Sequence, residues 1–308
     1  SDDLVLYANN KDIQKEEKSI SINFEDKKLS LIKAEIITAY LNNYHIIEIF
    51  SKTLENDAPV IKGILRNLSG MEIIEQTAHR IVAKDLIDVS SISIQTINRR
   101  MDMITRSMME DVISCMQGVC NPKNIIHRDS DVNRLYYLGS RVIKNAMENP
   151  MLMKNLKTSP WKLLIDQSII TRVEEIADCQ KRVSGLIIDI DSNLNIFNEL
   201  KGINEEIRDR YLAVMKAYYN RDEKLAHDIE INSKKIIEKC NKFLETSTQI
   251  TSSDSHLKRT AHKKGKPGEK DMEMVYTKNN VSIARIIEHT KAANSYIKYL
   301  ARKLLSRD

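Results

Sequence analysis

Two stretches of this 308-residue chain place oxygen-bearing side chains four residues apart, within segments whose apolar residues have helical spacing. Asp129 and Asn133 form the first pair, and Glu174 and Asp178 form the second. Side chains at i and i+4 lie one above the other on a helix, so each pair directs two oxygen donors to one point. Two such helices packed antiparallel can hold a metal ion between them. The same spacing is common on solvated helix faces, so a metal site and a solvated face are both open interpretations.

The elements that must position these pairs are helices. From residue 89 onward, apolar residues recur every three or four positions, and this period is typical of helices with one buried face. Ser159 followed by Pro160 has the types expected of an N-cap and a first helical residue. Helices are predicted over 97–116, 125–148, 160–190, 195–220, 222–246 and 281–305, with a polar loop at 247–269 that contains the basic stretch 262–267.

Residues 19–88 predict a small α+β domain. Ile20, Ile22 and Phe24 alternate with polar residues, which indicates a strand. A helical pattern over 31–41 and a β-branched run over 46–50 complete a βαβ unit, which implies parallel strands and a right-handed crossover. A second helix is predicted over 60–68, with Pro59 near its start, and the segments 71–76 and 80–87 are predicted to pair as a hairpin.

Composition favours a mostly helical protein over an all-β one, because hydrophobic residues make up 42% and the chain has only 8 Gly and 5 Pro. The net charge of +5 comes from 48 basic and 43 acidic residues, so nucleic-acid binding is not required.

The four cysteines lack metal-ligand spacing, which indicates reduced thiols and a cytoplasmic location. No apolar run has the length of a transmembrane helix. Scattered histidines and the lack of a Gly-rich phosphate loop make an enzyme the least favoured class.

The helical region also has the pattern of an internal duplication. With an offset of about 110 residues, 176–187 superposes on 286–297, and apolar residues coincide. This alignment puts Glu288 at the position of Asp178 and His289 at that of Cys179. The helix that contains Asp129 is similarly predicted to match the helix that contains Glu230. Two three-helix units, neither able to bury its apolar face alone, would then pack into one six-helix body.

The segment from Arg128 to Leu135 resembles the Asp/Glu-x-x-x-Asp helix of the PhoU family of phosphate-uptake regulators. The segment from Val173 to Asp178 resembles that family's Glu-Arg-Ile-Gly-Asp helix. The α+β segments 70–75 and 80–86, followed by six helices, occur in an order similar to archaeal members with an AbrB-like DNA-binding domain ahead of the PhoU region. The resemblance covers roughly residues 19–308.

This resemblance implies a mainly α fold, with a PhoU-like pair of three-helix bundles (six long helices) preceded by a βαβ-containing domain. Residues 1–18 are expected to be the remnant of a truncated AbrB-like domain and a linker, with Leu4 to Tyr7 as its last strand. The chain begins with Ser1 and not with Met, which agrees with a missing natural N-terminus. The expected further divisions are 19–88 for the α+β domain, 89–200 for the first repeat and 201–308 for the second.

The function that the resemblance implies is a cytoplasmic, non-enzymatic regulator of phosphate uptake or phosphate signalling. Its expected partners are phosphate ABC transporter components or a signalling kinase. A homodimer without membrane insertion is expected, and DNA contact only through the missing N-terminal domain. One alternative is a transcription regulator whose helical region serves sensing and dimerisation. Another is an interaction module that presents an acidic groove to its partner.

Carried over from the family, the first-repeat metal site would use Asp129, Asn133, Glu174 and Asp178, with iron, zinc, manganese or magnesium as the ion. Oxygen donors suit magnesium, manganese or iron better than structural zinc. Asn133 stands where the family has a carboxylate, so this site lacks one anionic ligand. The weaker metal candidates are Asp131 and Glu175, which helix geometry turns away from the site, and Glu230, Glu288 and His289 in the second repeat.

The second repeat departs further from the family pattern. The pair expected at the positions of Asp129 and Asn133 is Glu230 and Lys234. The pair expected at the positions of Glu174 and Asp178 is Ala284 and Glu288. An ammonium group at a ligand position disfavours a metal cation there. We therefore expect at most one metal site, and an ordinary helix ion pair between Glu230 and Lys234.

Overall fold

The structure, a computed structural model, describes residues 17–119, 121–190, 196–260 and 269–306, with side chains described outside 248–278. The predicted strand at Leu4 to Tyr7 and the basic stretch 262–267 lie outside the described residues. The chain divides into two compact units, 1–88 and 89–308.

The first unit contains a four-stranded sheet in the order β1-β2-β4-β3. Strand β1 is parallel to β2, whereas β4 is antiparallel to both β2 and β3. The predicted βαβ unit and hairpin are therefore confirmed. The elements are β1 Ser19–Asn23, α1 Leu29–Leu41, β2 Ile46–Phe50, α2 Leu54–Arg66, β3 Met71–Gln76 and β4 Arg80–Asp85.

The sheet has one apolar and one charged face, as period-2 alternation requires. Ile47, Ile49 and Ile81 are fully buried on the apolar face. On the opposite face, Glu48 forms an ion pair with Arg80 of the neighbouring strand. Such cross-strand pairs stabilise neighbouring strands and fix their register.

Helix α2 begins earlier than predicted. It starts at Leu54, so that Pro59 lies inside the helix and not near its start. Glu55 and Asp57 occupy the first turn, where negative charge stabilises the N-terminus of a helix. The acidic first turn marks the start better than the proline does.

In the described part of the second unit, the regular elements are all helices, beginning with a 3₁₀ turn at Val89–Ser91. Its six long helices confirm the predicted mainly α fold, and Ser159 caps α6 by accepting a hydrogen bond from the Lys162 backbone N–H. The helices are α3 Ile94–Met116, α4 Pro122–Glu148, α5 Pro150–Asn155, α6 Pro160–Ile187, α7 Phe197–Asn220, α8 Glu223–Ile231, α9 Ser233–Thr260 and α10 Glu269–Leu305.

The predicted helix over 222–246 is wrong, because two helices, α8 and α9, meet at Asn232. The Asn232 side chain donates a hydrogen bond to the Asp228 carbonyl at 2.8 Å, and Arg210 Nη2 donates to the Ile229 carbonyl at 2.8 Å. These bonds satisfy carbonyl groups that the end of a helix leaves without a partner. An asparagine is a moderate helix former, so periodicity alone did not indicate the break.

The predicted polar loop at 247–269 is wrong in its first half, because α9 continues to Thr260. Hydroxyl groups near its start bond back to the helix: Thr246 Oγ1 lies 3.1 Å from the Lys242 carbonyl, and Ser247 Oγ lies 3.1 Å from the Leu244 carbonyl. Serine and threonine satisfy their hydroxyl groups within a helix in this way, so a polar run need not form a loop.

Helix α6 is the centre of the second unit, since it packs against α3, α4 and α10. Its residues Ile170, Val173 and Ile176 are at most 1% exposed. Gly139 of α4 allows a close approach, because a Cβ atom there would lie 3.1 Å from Ile170 Cδ1 and 3.3 Å from Ile97 Cγ2. The close packing of α4 on α6 sets the geometry of the candidate site.

The prediction of reduced thiols is wrong for Cys115, which is disulfide-bonded. Cys179 and Cys240 are free and buried. The prediction rested on metal-ligand spacing, which does not test whether folding brings two thiols together.

Within the described ranges, no helix is both long enough and apolar enough to cross a membrane.

Candidate functional site

The two predicted pairs meet where α4 packs on α6. Asp129 is 7% exposed, and Asn133 Nδ2 donates a hydrogen bond to Asp129 Oδ2 at 3.0 Å. From α6, Lys181 Nζ lies 2.8 Å from Asp129 Oδ2 and 2.6 Å from Asp178 Oδ1. Two carboxylates on different helices therefore share one ammonium group. We call Asp129, Asn133, Glu174, Asp178 and Lys181 the α4–α6 cluster.

Positive charge in and beside this cluster keeps Asp178 ionised. Arg182 Nε lies 2.6 Å from Asp178 Oδ2, on the side opposite Lys181. Burial raises the pKa of Asp178, but the hydrogen bonds and charges of Lys181 and Arg182 outweigh burial and lower this pKa below its ordinary value. Burial likewise lowers the pKa of Lys181, but Asp129 and Asp178 raise it by more. The cluster therefore holds a carboxylate–ammonium arrangement.

Glu174 is the member of the cluster without a close cation. Its side chain is half-buried and forms no hydrogen bond or ion pair with any other described residue. Burial, followed by the charges of Asp178 and Asp129, raises the pKa of Glu174 to about 7, although the charge of Lys181 lowers it. Burial also raises the pKa of the neighbouring Tyr137, with the charge of Glu174 as the next cause. Glu174 is thus the residue of the cluster that gains or loses a proton near neutral pH.

The weaker candidates on α4, α6 and α10 lie outside the cluster. Asp131 and Glu288 are exposed, and Glu175 forms an ion pair with Arg172. His289 is half-buried, and burial followed by the charge of Arg182 lowers its pKa. Their positions agree with the helix geometry that turns Asp131 and Glu175 away.

The predicted ion pair between Glu230 and Lys234 is wrong. Glu230 Oε1 instead lies 2.7 Å from Arg302 Nη2 of α10. Helix α8 ends at Ile231, so Glu230 and Lys234 lie on different helices and do not have i, i+4 geometry.

The donor set, as arranged, fits an ammonium ion and not a divalent metal. Lys181 Nζ occupies the position between Asp129 and Asp178 that a bridging metal would take. Across the described parts of the chain, no group of three or more His, Cys, Asp or Glu side chains has a geometry that holds a metal ion. The predicted metal binding at Asp129, Asn133, Glu174 and Asp178 would require Lys181 to leave both carboxylates.

The sequence interpretation missed Lys181, although two signals pointed to it. Lys181 lies three residues after Asp178, on the same helix face, and the offset of about 110 places it on Lys291. In the structure, Lys291 Nζ lies 2.5 Å from Asn241 Oδ1 of α9. The lysine of α10 thus contacts α9 as Lys181 of α6 contacts α4, so the counterpart of Asp129 in this contact is Asn241 and not Glu230.

A second buried polar group, also missed from the sequence, connects α3, α6 and α7. Asn98 Nδ2 donates to Tyr218 Oη at 2.8 Å, and Tyr218 Oη lies 3.1 Å from Asp166 Oδ1. Nearby, Asp102 accepts hydrogen bonds from Tyr219 Oη at 2.9 Å and from Arg106. Polar residues at positions 98 and 102, beside the apolar stripe of α3, were the available signal.

Comparison with known proteins adds one structural similarity. No protein-family model and no curated protein matches the chain. Among solved structures, the chain is similar to the crystal structure of PhoU from Pseudomonas aeruginosa, with 12% sequence identity and a TM-score of 0.40. The match covers 68% of this chain and 95% of that chain.

Proposed function

We propose that this chain is a cytoplasmic, non-enzymatic regulator of phosphate uptake or phosphate signalling that acts by protein–protein contact. The sequence resemblance of the Arg128 to Leu135 and Val173 to Asp178 segments supports this proposal. The observation that carries it is the meeting of these two segments, distant in sequence, at the contact of Lys181 with Asp129 and Asp178. A cluster that joins two long helices can keep the exposed side chains around it in one arrangement, to which a partner can bind.

The surface beside the cluster suits a protein partner of mixed charge. Arg182 of α6 and Arg285 and Glu288 of α10 are exposed, and all three act by their charge on His289, as Asp178 of the cluster does. Charged groups at the rim of an interface act mainly on association rate and on the choice of partner. A transporter component or a signalling kinase is the proposed partner, and its contact with this surface is part of the proposal.

Phosphate uptake in cells tests the proposed role. We expect disruption of the gene, in the organism that carries it, to raise phosphate uptake when phosphate is abundant. The unchanged chain should restore low uptake, whereas Arg285→Glu/Glu288→Arg, which reverses two exposed charges of this surface, should not. Glu238→Arg, a charge reversal at an exposed position of α9, is the matched control and should restore low uptake. Equal uptake with and without the gene would contradict the proposal.

The transcription-regulator interpretation stays a prediction, as does the homodimer. Binding of this chain to duplex DNA of mixed sequence, measured at several salt concentrations, tests the first. If the DNA-reading domain is missing, only weak binding that falls steeply with salt is expected. Sequence-selective binding would show that this chain itself carries a DNA-reading segment. Light scattering after size-exclusion chromatography tests the dimer.

A further inference from the structure

We propose that Lys181 is the resident cation of the α4–α6 cluster, so that the chain excludes divalent metal there, and that loss of this one ammonium group opens a binding site for a divalent ion. The inference rests on contacts of described residues and does not depend on the proposed regulatory role.

The buried carboxylate of Asp129 requires a positive charge beside it. Asp129 is 7% exposed, and a buried carboxylate needs an opposite charge or several hydrogen bonds to remain ionised. Asn133 supplies one neutral hydrogen bond, at 3.0 Å. Within the described ranges, Lys181 is the cationic residue in ion-pair contact with Asp129, at 2.8 Å. Lys181 therefore provides the charge that a metal ion would otherwise provide.

Lys181 Nζ lies where a metal ion that bridges Asp129 and Asp178 would lie. Lys181 Nζ lies within 2.8 Å of one carboxylate on each of the two helices. A divalent ion bound to these carboxylates would sit at metal–oxygen distances of about 2.0–2.6 Å, in nearly the same place. An ammonium group and a divalent cation this close repel each other strongly in a half-buried site. Occupation by Lys181 and occupation by a metal ion therefore exclude each other.

A lysine contact of the same kind occurs a second time in the helical region. Lys291 lies 110 residues after Lys181, and its Nζ contacts Asn241 Oδ1. In this contact the partner is a neutral amide and not a carboxylate. Lys181 thus connects α6 to α4, and Lys291 connects α10 to α9, whether or not a carboxylate is present. This makes Lys291 a matched control, because its removal exposes no carboxylate pair.

The vacated position would offer oxygen ligands only. Without the ammonium group, Asp129, Glu174 and Asp178 provide three carboxyl groups, and Asn133 provides an amide oxygen. Such donors suit magnesium or manganese better than zinc, which prefers nitrogen and sulfur. Mn²⁺ is therefore the appropriate probe.

Equilibrium dialysis of the full chain against Mn²⁺, at about pH 8 where ligand carboxylates are deprotonated, tests the proposal. We expect Lys181→Met to bind one Mn²⁺ per chain at least about tenfold more tightly than the unchanged protein, since displacement of the ammonium is no longer required. Lys291→Met should bind as the unchanged protein does. Adding Asp129→Asn to Lys181→Met should remove the gain.

An affinity ratio below about tenfold between folded Lys181→Met and the unchanged protein would overturn the proposal. An equal gain in Lys291→Met would also overturn it, because the effect would then not arise in the cluster. If Lys181→Met does not fold, Lys181→Gln replaces it, since glutamine keeps a hydrogen-bond donor near Asp129. For that variant we expect Mn²⁺ to raise Tm while leaving the Tm of the unchanged protein in place, and no difference between the two would overturn the proposal.

Discussion

Lys181 and Lys291 lie 110 residues apart in the sequence, and each connects its own helix to a neighbouring one: Lys181 connects α6 to α4, and Lys291 connects α10 to α9. Lys181 contacts a carboxylate of α4, whereas Lys291 contacts an amide of α9. Lys181 and Lys291 thus make corresponding contacts, the first with a charged partner and the second with a neutral one. The two positions allow the energetic role of charge to be separated from that of a hydrogen bond.

Lys181→Met is expected to lower the free energy of unfolding by about 1–3 kcal/mol, because it leaves the carboxylate of the buried Asp129 without its charged partner. Lys291→Met removes a hydrogen bond to a neutral amide, so a loss of about 0.5–1.5 kcal/mol is expected. Urea denaturation of both variants, with circular dichroism as the probe, measures the difference. Equal losses would show that charge contributes nothing at the α4–α6 cluster.

Glu174 is expected to make stability fall as pH rises from about 4.5 to about 7. The pKa of Glu174 is raised to about 7 in the folded chain, so the folded state binds more protons than the unfolded state within this window. Above about 7 the effect is complete. Glu174→Gln should therefore raise the free energy of unfolding by about 1–2 kcal/mol at about pH 8, a value reduced for partial exposure of the side chain.

Comparison of Glu174→Gln with the unchanged chain at about pH 4.5 and about pH 8 is the check, since the two proteins should differ little at the lower pH. Glu175→Gln, which changes the adjacent carboxylate paired with Arg172, is the matched control. A gain in stability for Glu175→Gln that has the same pH dependence would contradict the assignment to Glu174.

Tyr218→Phe should lower the free energy of unfolding by about 1–2 kcal/mol. It removes the hydroxyl group that accepts a hydrogen bond from Asn98 and lies 3.1 Å from Asp166 Oδ1. Both partners are at most 2% exposed, so water does not replace the lost contact. Tyr137→Phe, which changes a half-buried tyrosine of α4, is the control, and thermal or urea denaturation measures both. A loss in Tyr218→Phe no larger than in the control would contradict this role.

Gly139→Val should destabilise the chain by about 1–3 kcal/mol, because added atoms would meet Ile170 and Ile97 where α3, α4 and α6 pack together. Gly202, inside α7, has no heavy atom within 4 Å of a Cβ placed there. Gly202→Ala should therefore stabilise the chain by about 0.5–1 kcal/mol, through the higher helix propensity of alanine. Tm values of the two variants check both signs, and a stabilising Gly139→Val would contradict the close helix approach.

Periodicity in the sequence predicted the type of most elements. The alternation at Ile20 and Ile22 indicated a strand, and the pairing of Ser159 with Pro160 marked the start of α6, because local sequence determines both features. The break between α8 and α9 was not predictable from periodicity, since hydrogen bonds from Arg210 and Asn232 satisfy the carbonyl groups there. A contact from another helix leaves no local pattern.

The spacing of acidic residues indicated which faces of α4 and α6 carry the predicted pairs, but not which cation lies between them. Spacing brought Asp129 and Asn133 onto one face of α4, and Glu174 and Asp178 onto one face of α6, and the structure brings the two helices together. Spacing of acidic residues did not reveal that Lys181, on the same face of α6, reaches across to Asp129. The identity of the cation depends on which side chain fills the space between two helices, and only packing determines this.

A double-mutant cycle with Asp129→Asn and Lys181→Met tests most directly whether Lys181 is the charge partner of Asp129. We predict a coupling free energy of about 1–3 kcal/mol in urea denaturation, because each single substitution leaves the other charge without its partner. The same cycle with Asn241→Ala and Lys291→Met should give a smaller value. Additive effects of Asp129→Asn and Lys181→Met, with a coupling free energy near zero, would contradict the account.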